Sequence, residues 1–308
     1  MALLFISQSE DADAWRTHLA RRLPDDEFRV WPDVGDPAAV EFLLVWRPPK
    51  GSMKGFPNLR AVLNLGAGVD AVLKDPDLPD VPLVSLKDEG LAQGMAEYVV
   101  HAVLHLHRDM HRFRTFQQEA TWRSLPQADT TRRRIGILGF GHLGQAVARH
   151  LAPFGFPIAG WSRTAKTVAG VESFAGRDAL HAFLARTDIL IILAPLTSEI
   201  RGIVNRATLA ALPKGAYIIN AARGGLVVES DLLAALDSGH LAGAFLDVFE
   251  EEPLPPTHPF WRHPKVIVTP HVAALTLSGP AAEEVAANIR RIRRGEAPHG
   301  LVDKRREY

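Results

Sequence analysis

Arg134-Ile135-Gly136-Ile137-Leu138-Gly139-Phe140-Gly141-His142-Leu143-Gly144 is the stretch whose reading decides the fold. Ile135, Ile137 and Leu138 make a short apolar run suited to a buried parallel strand, and Gly139, Gly141 and Gly144 follow at once in GxGxxG spacing. Residues 145–151 favour a helix, with Val147 and Leu151 four apart on one face. Strand, turn and helix arrive in the order that aims a helix N-terminus, with its unpaired N–H groups, at an anion above the strand. Each glycine meets a separate demand. Gly139 permits a tight reversal, Gly141 leaves room for a pyrophosphate at the backbone, and Gly144 lets the helix pack close on the strand. GxGxxG alone is weak evidence, but in this setting it predicts a dinucleotide site.

At 308 residues, 47% of them apolar, the chain is longer than one core usually supports, so two domains are expected. Basic and acidic residues balance at 35 each, which removes the electrostatic case for nucleic acid or an anionic membrane as main partner. A small-molecule ligand is what remains. The absence of cysteine excludes disulfides, thiolate metal sites and a Cys nucleophile. The apolar start, Met1 to Ile6, is only a strand long and lacks a basic leader, so it reads as a strand rather than a signal peptide. With no bilayer-length apolar run, a cytoplasmic location is expected.

Apolar runs at residues 3–6, 28–31, 42–46, 61–65 and 83–86 alternate with polar or helical segments and predict a small α/β unit. Trp46-Arg47-Pro48-Pro49 ends one strand in a stiff turn. Asn64-Leu65-Gly66-Ala67-Gly68-Val69-Asp70 ends another, and the successive amides of Ala67 and Gly68 form a concavity suited to a carboxylate, although a bare tight turn reads the same way. Residues 95–113 predict the longest helix, with Val99, Val103, Leu106 and Met110 on its buried side. On one continuous helix the pairs His101/His105 and His107/His111 point to different faces, so no histidine cluster and no metal site is expected. Residues 115–133, with Trp122, read as an irregular arm. Further strands are expected at 157–161, 189–193, 216–219, 242–246 and 266–269, with helices at 177–184 and 230–237 among them. With the opening strand these make six parallel strands in a doubly wound sheet, whose first and fourth members flank the switch point. A final amphipathic helix at 280–294 is expected to return to the first domain. The expected division is therefore 1–94 with 277–308, and 95–276.

Ligands of such sheets bind beyond the carboxyl ends of the strands. Asn220-Ala221-Ala222-Arg223-Gly224-Gly225 follows the fourth expected strand, Asp247-Val248-Phe249-Glu250-Glu251-Glu252-Pro253 the fifth, and Pro270-His271 the sixth. Taken singly, a loop arginine or glutamate is usually a solvated charge and a lone histidine is usually structural. Together at one crevice they are the parts needed to orient an anionic substrate and move a proton.

In combination, GFGHLG (139–144), NAARGGLVVE (220–229), LDVFEEEP (246–253) and TPHVAA (269–274) resemble the D-isomer-specific 2-hydroxyacid dehydrogenases. WRPP (46–49), NLGAGVD (64–70) and GWSR (160–163) look like the bacterial glyoxylate/hydroxypyruvate reductase A branch. The resemblance covers nearly the whole chain. It implies two Rossmann-like domains, a doubly wound NADP-binding domain at 95–276 and a smaller flavodoxin-like substrate-binding domain that is discontinuous. It implies NADPH-dependent reduction of small 2-oxo acids, glyoxylate or hydroxypyruvate, to glycolate or D-glycerate, in a homodimer joined through the 95–113 helix and the arm after it. Arg223, Glu252 and His271 match the catalytic trio, with Glu252 chosen from three consecutive glutamates because it precedes Pro253. Cofactor contacts fall on Gly139, Gly141, His142, Leu143, Gly144, Ser162, Arg163, Thr164, Pro195, Ala221, Ala222 and Asp247, the last matching the holder of the nicotinamide carboxamide. Substrate contacts fall on Trp46, Ala67, Gly68, Arg223 and His271. No metal is implied.

These residue types suit that chemistry. A planar guanidinium at Arg223 can bind the carboxylate and keto oxygen of a 2-oxo acid, an imidazole at His271 can deliver the proton, and a carboxylate at Glu252 favours the protonated imidazole that reduction requires. The cofactor preference is read from residues directly. NAD-selective folds place an acid near the end of the second strand to bind the ribose 2′-OH, but here that strand ends in Trp161-Ser162-Arg163-Thr164, and no acidic residue occurs from 145 to 171. Arg163, with Ser162, Thr164 and Lys166, suits a 2′-phosphate instead. The alternative, a non-catalytic nucleotide-sensing interaction protein of the same fold, fits less well, since the chain has no low-complexity or charged tail for such partners.

Overall fold

A computed structural model describes residues 1–308. In chain order the elements are β1 (Ala2–Ser7), α1 (Ala12–Ala20), β2 (Glu27–Val30), β3 (Val40–Trp46), β4 (Ala61–Asn64), α2 (Asp70–Leu73), β5 (Leu83–Ser85), α3 (Glu89–His107), α4 (Met110–Gln118), β6 (Ile135–Leu138), α5 (His142–Leu151), β7 (Ile158–Ser162), β8 (Val171–Ala175), α6 (Leu180–Ala185), β9 (Ile189–Ile192), α7 (Arg206–Ala210), β10 (Ala216–Asn220), α8 (Glu229–Asp237), β11 (Leu241–Leu246), β12 (Val266–Val268) and α9 (Ser278–Arg293). They form two compact units, Met1–Leu91 with Leu275–Tyr308, and Ala92–Ala274. The first cut falls inside α3, and the second falls three residues after His271. No helix is long and apolar enough to cross a membrane.

The first unit is a five-stranded parallel sheet in the order β2-β1-β3-β4-β5, the flavodoxin-like winding. Alternation along β1 fills both faces. Leu3 and Phe5 pack with Trp15 and Leu19 of α1 and with Ala282, Val285 and Ile289 of α9. Leu4 and Ile6 pack on the opposite side with Val45, Met53 and Val72. The C-terminal segment closes the sheet edge at β5: Ser85 N–H donates to Gly300 O, and Val302 N–H to Leu83 O, each at 2.9 Å.

The second unit holds seven parallel strands, not six, in the order β12-β11-β10-β9-β6-β7-β8. The strand without a sequence signal is β8. Its residues Val-Glu-Ser-Phe-Ala lie at a sheet edge with Glu172 and Ser173 exposed, so no apolar run announces it. β8 is third in this unit, which makes β9 the fourth strand and the neighbour of β6 across the switch point. The loops of Arg223, Asp247 and His271 therefore follow the fifth, sixth and seventh strands, one place further along than expected. One face packs Ile135, Ile137, Ile191, Ile219 and Phe245 against Val99, Val103 and Leu106 of α3 and Val147 and Leu151 of α5. The other packs Leu138, Ile192, Ile218 and Leu246 against Phe183 of α6, Leu209 of α7 and Leu232 of α8.

The single helix expected over 95–113 is two helices. α3 ends at His107, Asp109 takes a left-handed conformation at φ 55°, and α4 starts anew at Met110. Asp is one of the few residues that tolerate that region. Two expectations fall with the break. Met110 is exposed instead of continuing the buried stripe. His111 swings back so that its ring stacks on His105, with centroids 6.1 Å apart, and His105 and His101 both meet the edge of Phe245 at 6.0 Å. The histidines thus do cluster, about an aromatic ring. No group of three or more His, Cys, Asp or Glu side chains is arranged to hold a metal ion. The arm after α3 is also less irregular than expected, since α4 reaches Gln118. Beyond it Trp122 is fully exposed, whereas Met95 is buried in the core.

Candidate active site

The glycine turn after β6 is dictated by close approaches. Gly139 has φ 103°, and a Cβ there would lie 2.2 Å from the Ala194 amide nitrogen, so no other residue fits. A Cβ on Gly144 would lie 2.4 Å from Gly139 O, which is how near α5 comes to the turn. Gly141 differs, because a Cβ there would meet nothing within 4 Å. It N-caps α5 without a side-chain cap, leaving the first-turn N–H groups of the His142–Gly144 segment to an outside acceptor. Open space above unclaimed helix amides is a cradle that a dinucleotide pyrophosphate fits.

The other expected cofactor residues stand along the same sheet edge. Ser162 ends β7, its hydroxyl donates to Thr164 O at 2.8 Å, and Arg163 and Thr164 are exposed. The nearest acid beyond this turn, Glu172 on β8, is paired with Arg186 at 3.4 Å. Pro195 lies exposed beyond β9, while Ala221 and Ala222 are buried beyond β10. Strand register levels these ends: Leu138 pairs with Trp161 and Ile192, Ile192 with Asn220, Asn220 with Leu246, and Leu246 with Val268.

On the β10–β12 side of this edge three loops meet. Asn220 is buried, its side-chain amide donates to Arg223 O at 3.1 Å, and its carbonyl oxygen accepts the Ala222 N–H at 3.2 Å, so one side chain shapes the loop that presents Arg223. The Arg223 guanidinium donates to Ala222 O at 2.7 Å. A Cβ on Gly224 would sit 1.8 Å from the Phe249 carbonyl carbon, so this loop lies directly on the next one. Among the three glutamates, Glu250 is held by Arg201 at 2.7 Å, Glu251 is exposed, and Glu252 reaches His271, with Oε2 2.7 Å from Nδ1. Its Oε1 accepts the Phe249 N–H at 3.2 Å.

His271 takes an uncommon left-handed backbone, φ 57°, and Asp247 holds it there. Asp247 O accepts the His271 N–H at 2.8 Å, Oδ1 accepts the Val272 N–H at 2.9 Å, and Oδ2 accepts the Ala273 N–H at 2.8 Å. The Thr269 hydroxyl adds a fourth donor at 2.6 Å, and Asp247 has no exposed surface. Asn220, Gly224 and Thr269 stand inside the motifs after the strands, but the sequence assigned them no role of their own. A polar residue closing an apolar strand is the one signal Asn220 offered, and the other two acquire meaning only from what they touch.

Trp46, Ala67 and Gly68 belong to the first unit, at the carboxyl ends of β3 and β4. Buried Asn64 donates to Gly66 O at 2.7 Å and Gly68 O at 3.0 Å, turning those carbonyls inward. A Cβ on Gly66 would lie 2.3 Å from the Trp46 ring, so the indole lies flush against the turn.

A family model, D-isomer specific 2-hydroxyacid dehydrogenase, NAD binding domain, matches residues 100–273. The chain belongs to the D-isomer-specific 2-hydroxyacid dehydrogenases. The dehydrogenase is 45% identical to glyoxylate/hydroxypyruvate reductase A of Serratia proteamaculans, over 98% of each chain. It resembles the crystal structure of a D-isomer specific 2-hydroxyacid dehydrogenase from Xanthobacter autotrophicus Py2 in complex with NADPH and MES, with TM-score 0.97, 45% identity, and coverage of 100% and 99% of the two chains. It also resembles the NADPH-dependent glyoxylate/hydroxypyruvate reductase of Sinorhizobium meliloti in complex with NADP and sulfate, with TM-score 0.94, 38% identity, and full coverage of both chains.

Proposed function

We propose that this dehydrogenase reduces small 2-oxo acids, glyoxylate and hydroxypyruvate foremost, with NADPH as reductant. The observation that carries the reading is the Glu252–His271 pair beside the loop of Arg223, at the sheet edge that also presents the glycine cradle. Residues 95–276 would serve the cofactor, and 1–94 with 277–308 the substrate. Gly139, Gly141, His142, Leu143 and Gly144 would hold the pyrophosphate, Ser162, Arg163 and Thr164 the 2′-phosphate, and Pro195, Ala221 and Ala222 the nicotinamide half. When bound, NADPH supplies hydride to the carbonyl carbon.

The chain's own residues then do the rest. Arg223 binds the substrate carboxylate and keto oxygen through its planar fork, orienting the carbonyl and drawing electron density to its oxygen. The amides of Ala67 and Gly68 take the carboxylate, and Trp46 limits the size of the substrate side chain. His271 gives its proton through Nε2 to the developing alkoxide, while Glu252 at Nδ1 fixes the orientation of the ring. Asp247 supports the His271 loop and would also hold the nicotinamide carboxamide.

The fully exposed Trp122, beside a shallow depression lined by Phe113, Phe116 and Ala120, supports a homodimer joined through this arm. We place the enzyme in the cytoplasm, where NADPH is available to it. The test is NADPH consumption by the purified protein across a panel of 2-oxo acids, repeated with NADH. Consumption with glyoxylate supports the reading. None with any 2-oxo acid sinks it and leaves the non-catalytic nucleotide-binding alternative. For the dimer, sedimentation showing only a 33.7 kDa species at micromolar concentration would reject it.

A further inference from the structure

We propose that Tyr98 is a positioning residue for His271, acting through a directed hydroxyl chain from Tyr98 to Thr269 to Asp247. The Tyr98 and Thr269 hydroxyl oxygens are 2.5 Å apart, and Thr269 Oγ1 lies 2.6 Å from Asp247 Oδ1. The direction follows from the proton inventory. A carboxylate has no proton to give, so the one hydroxyl proton of Thr269 goes to Asp247. The Thr269 oxygen must then accept, and Tyr98 donates. Burial pushes the Tyr98 phenol above its usual range, which keeps that donor protonated.

The chain matters because of what Asp247 holds. Three successive amides, of His271, Val272 and Ala273, end on this one residue, the first on its backbone carbonyl and the others on its carboxylate. They keep His271 in the left-handed conformation that directs its ring to Glu252. Rotation of the Asp247 carboxylate would loosen that loop, and the Thr269 hydroxyl opposes it. Tyr98 in turn fixes Thr269 from a rigid support: it sits in α3, and its ring meets Phe245 of β11 edge-on, centroids 5.6 Å apart at 89°. Helix α3 thereby sets the placement of the proton donor without touching the reacting atoms.

The inference rests on the reductase reading, and its test separates the two. Tyr98→Phe keeps the ring and deletes only the hydroxyl. The expected result is a turnover about 3- to 10-fold lower, with KM for glyoxylate within about twofold of wild type, because the loss falls on orientation of the donor rather than on substrate binding. Ring resonances of His271, identified by their disappearance in His271→Gln, should also shift in Tyr98→Phe. Thr269→Val should reproduce both effects, Thr269→Ser should restore both, and Tyr98→Phe/Thr269→Val should be no worse than Thr269→Val alone. A Tyr98→Phe enzyme with lowered melting temperature but unchanged turnover and unchanged His271 resonances would overturn the proposal, as would additive losses in the double variant. If wild type reduces no 2-oxo acid yet the His271 resonances move as described, the reductase reading fails and the positioning chain stands.

Discussion

Glu252 Oε2 lies 2.7 Å from His271 Nδ1, while the other oxygen of the same carboxylate is tied to the Phe249 amide. The ring is therefore held from one side by a group that is itself fixed to its loop. Glu252→Gln keeps the shape and removes the carboxylate that holds Nδ1, so turnover should fall by about tenfold or more while KM for glyoxylate changes little. Initial-rate kinetics with glyoxylate and NADPH check this, and near-normal turnover would count against the role.

Arg223→Lys keeps a positive charge but loses the planar fork. KM for the 2-oxo acid should rise and turnover should fall together, by about 3 kcal/mol in combined transition-state binding. Initial-rate kinetics on glyoxylate will show it. Turnover near wild type would mean that the guanidinium is not on the substrate.

Two glycines should respond in opposite ways. Gly224→Ala drives a Cβ into the Phe249 backbone, at a cost of about 3 kcal/mol in stability, and displaces the adjacent Arg223 loop. Gly141→Ala places its Cβ in open space, so its melting temperature should match wild type while NADPH binds more weakly. Thermal melts and cofactor titration of both variants separate a packing demand from a ligand demand.

Arg163→Ala should raise KM for NADPH by about tenfold or more and leave KM for NADH nearly unchanged, because only the former carries the 2′-phosphate. Equal changes for the two cofactors would defeat the assignment.

His105, His107 and His111 have their pKa values lowered from 6.5, chiefly by burial; His111, His101 and Arg114 add to it at His105, Arg133 and Arg108 at His107, and Arg112 at His111, while Asp109 opposes it at His107 and His111 and Asp129 at His107. A base that is harder to protonate when folded leaves the unfolded chain binding more protons. Stability is then fully present above about pH 6.5 and is lost as pH falls below that value toward the folded-state pKa values. The melting temperature should drop between pH 7.5 and pH 5.5, and His105→Gln/His111→Gln should narrow that drop. Equal slopes for variant and wild type would exclude these histidines as its source.

The sequence by itself determined the features that depend on local pattern. The GxGxxG turn, the apolar runs of buried parallel strands and the polar loops just after them follow from chain stereochemistry and burial, and these marked most strands of both sheets and the loops that carry Arg223, the three glutamates and His271. Features that depend on distant contacts were decided only by the tertiary structure. β8 is a strand because β7 offers it an edge, not because its residues ask for one. The break at Asp109 turns His111 toward His105, although both residues look compatible with one helix. Three consecutive glutamates are alike until Arg201 claims Glu250 and His271 claims Glu252. Tyr98 and Thr269 are 171 residues apart, and a hydrogen bond between them leaves no periodicity to read. Such partners are chosen by the packing of whole elements, which a local pattern does not encode.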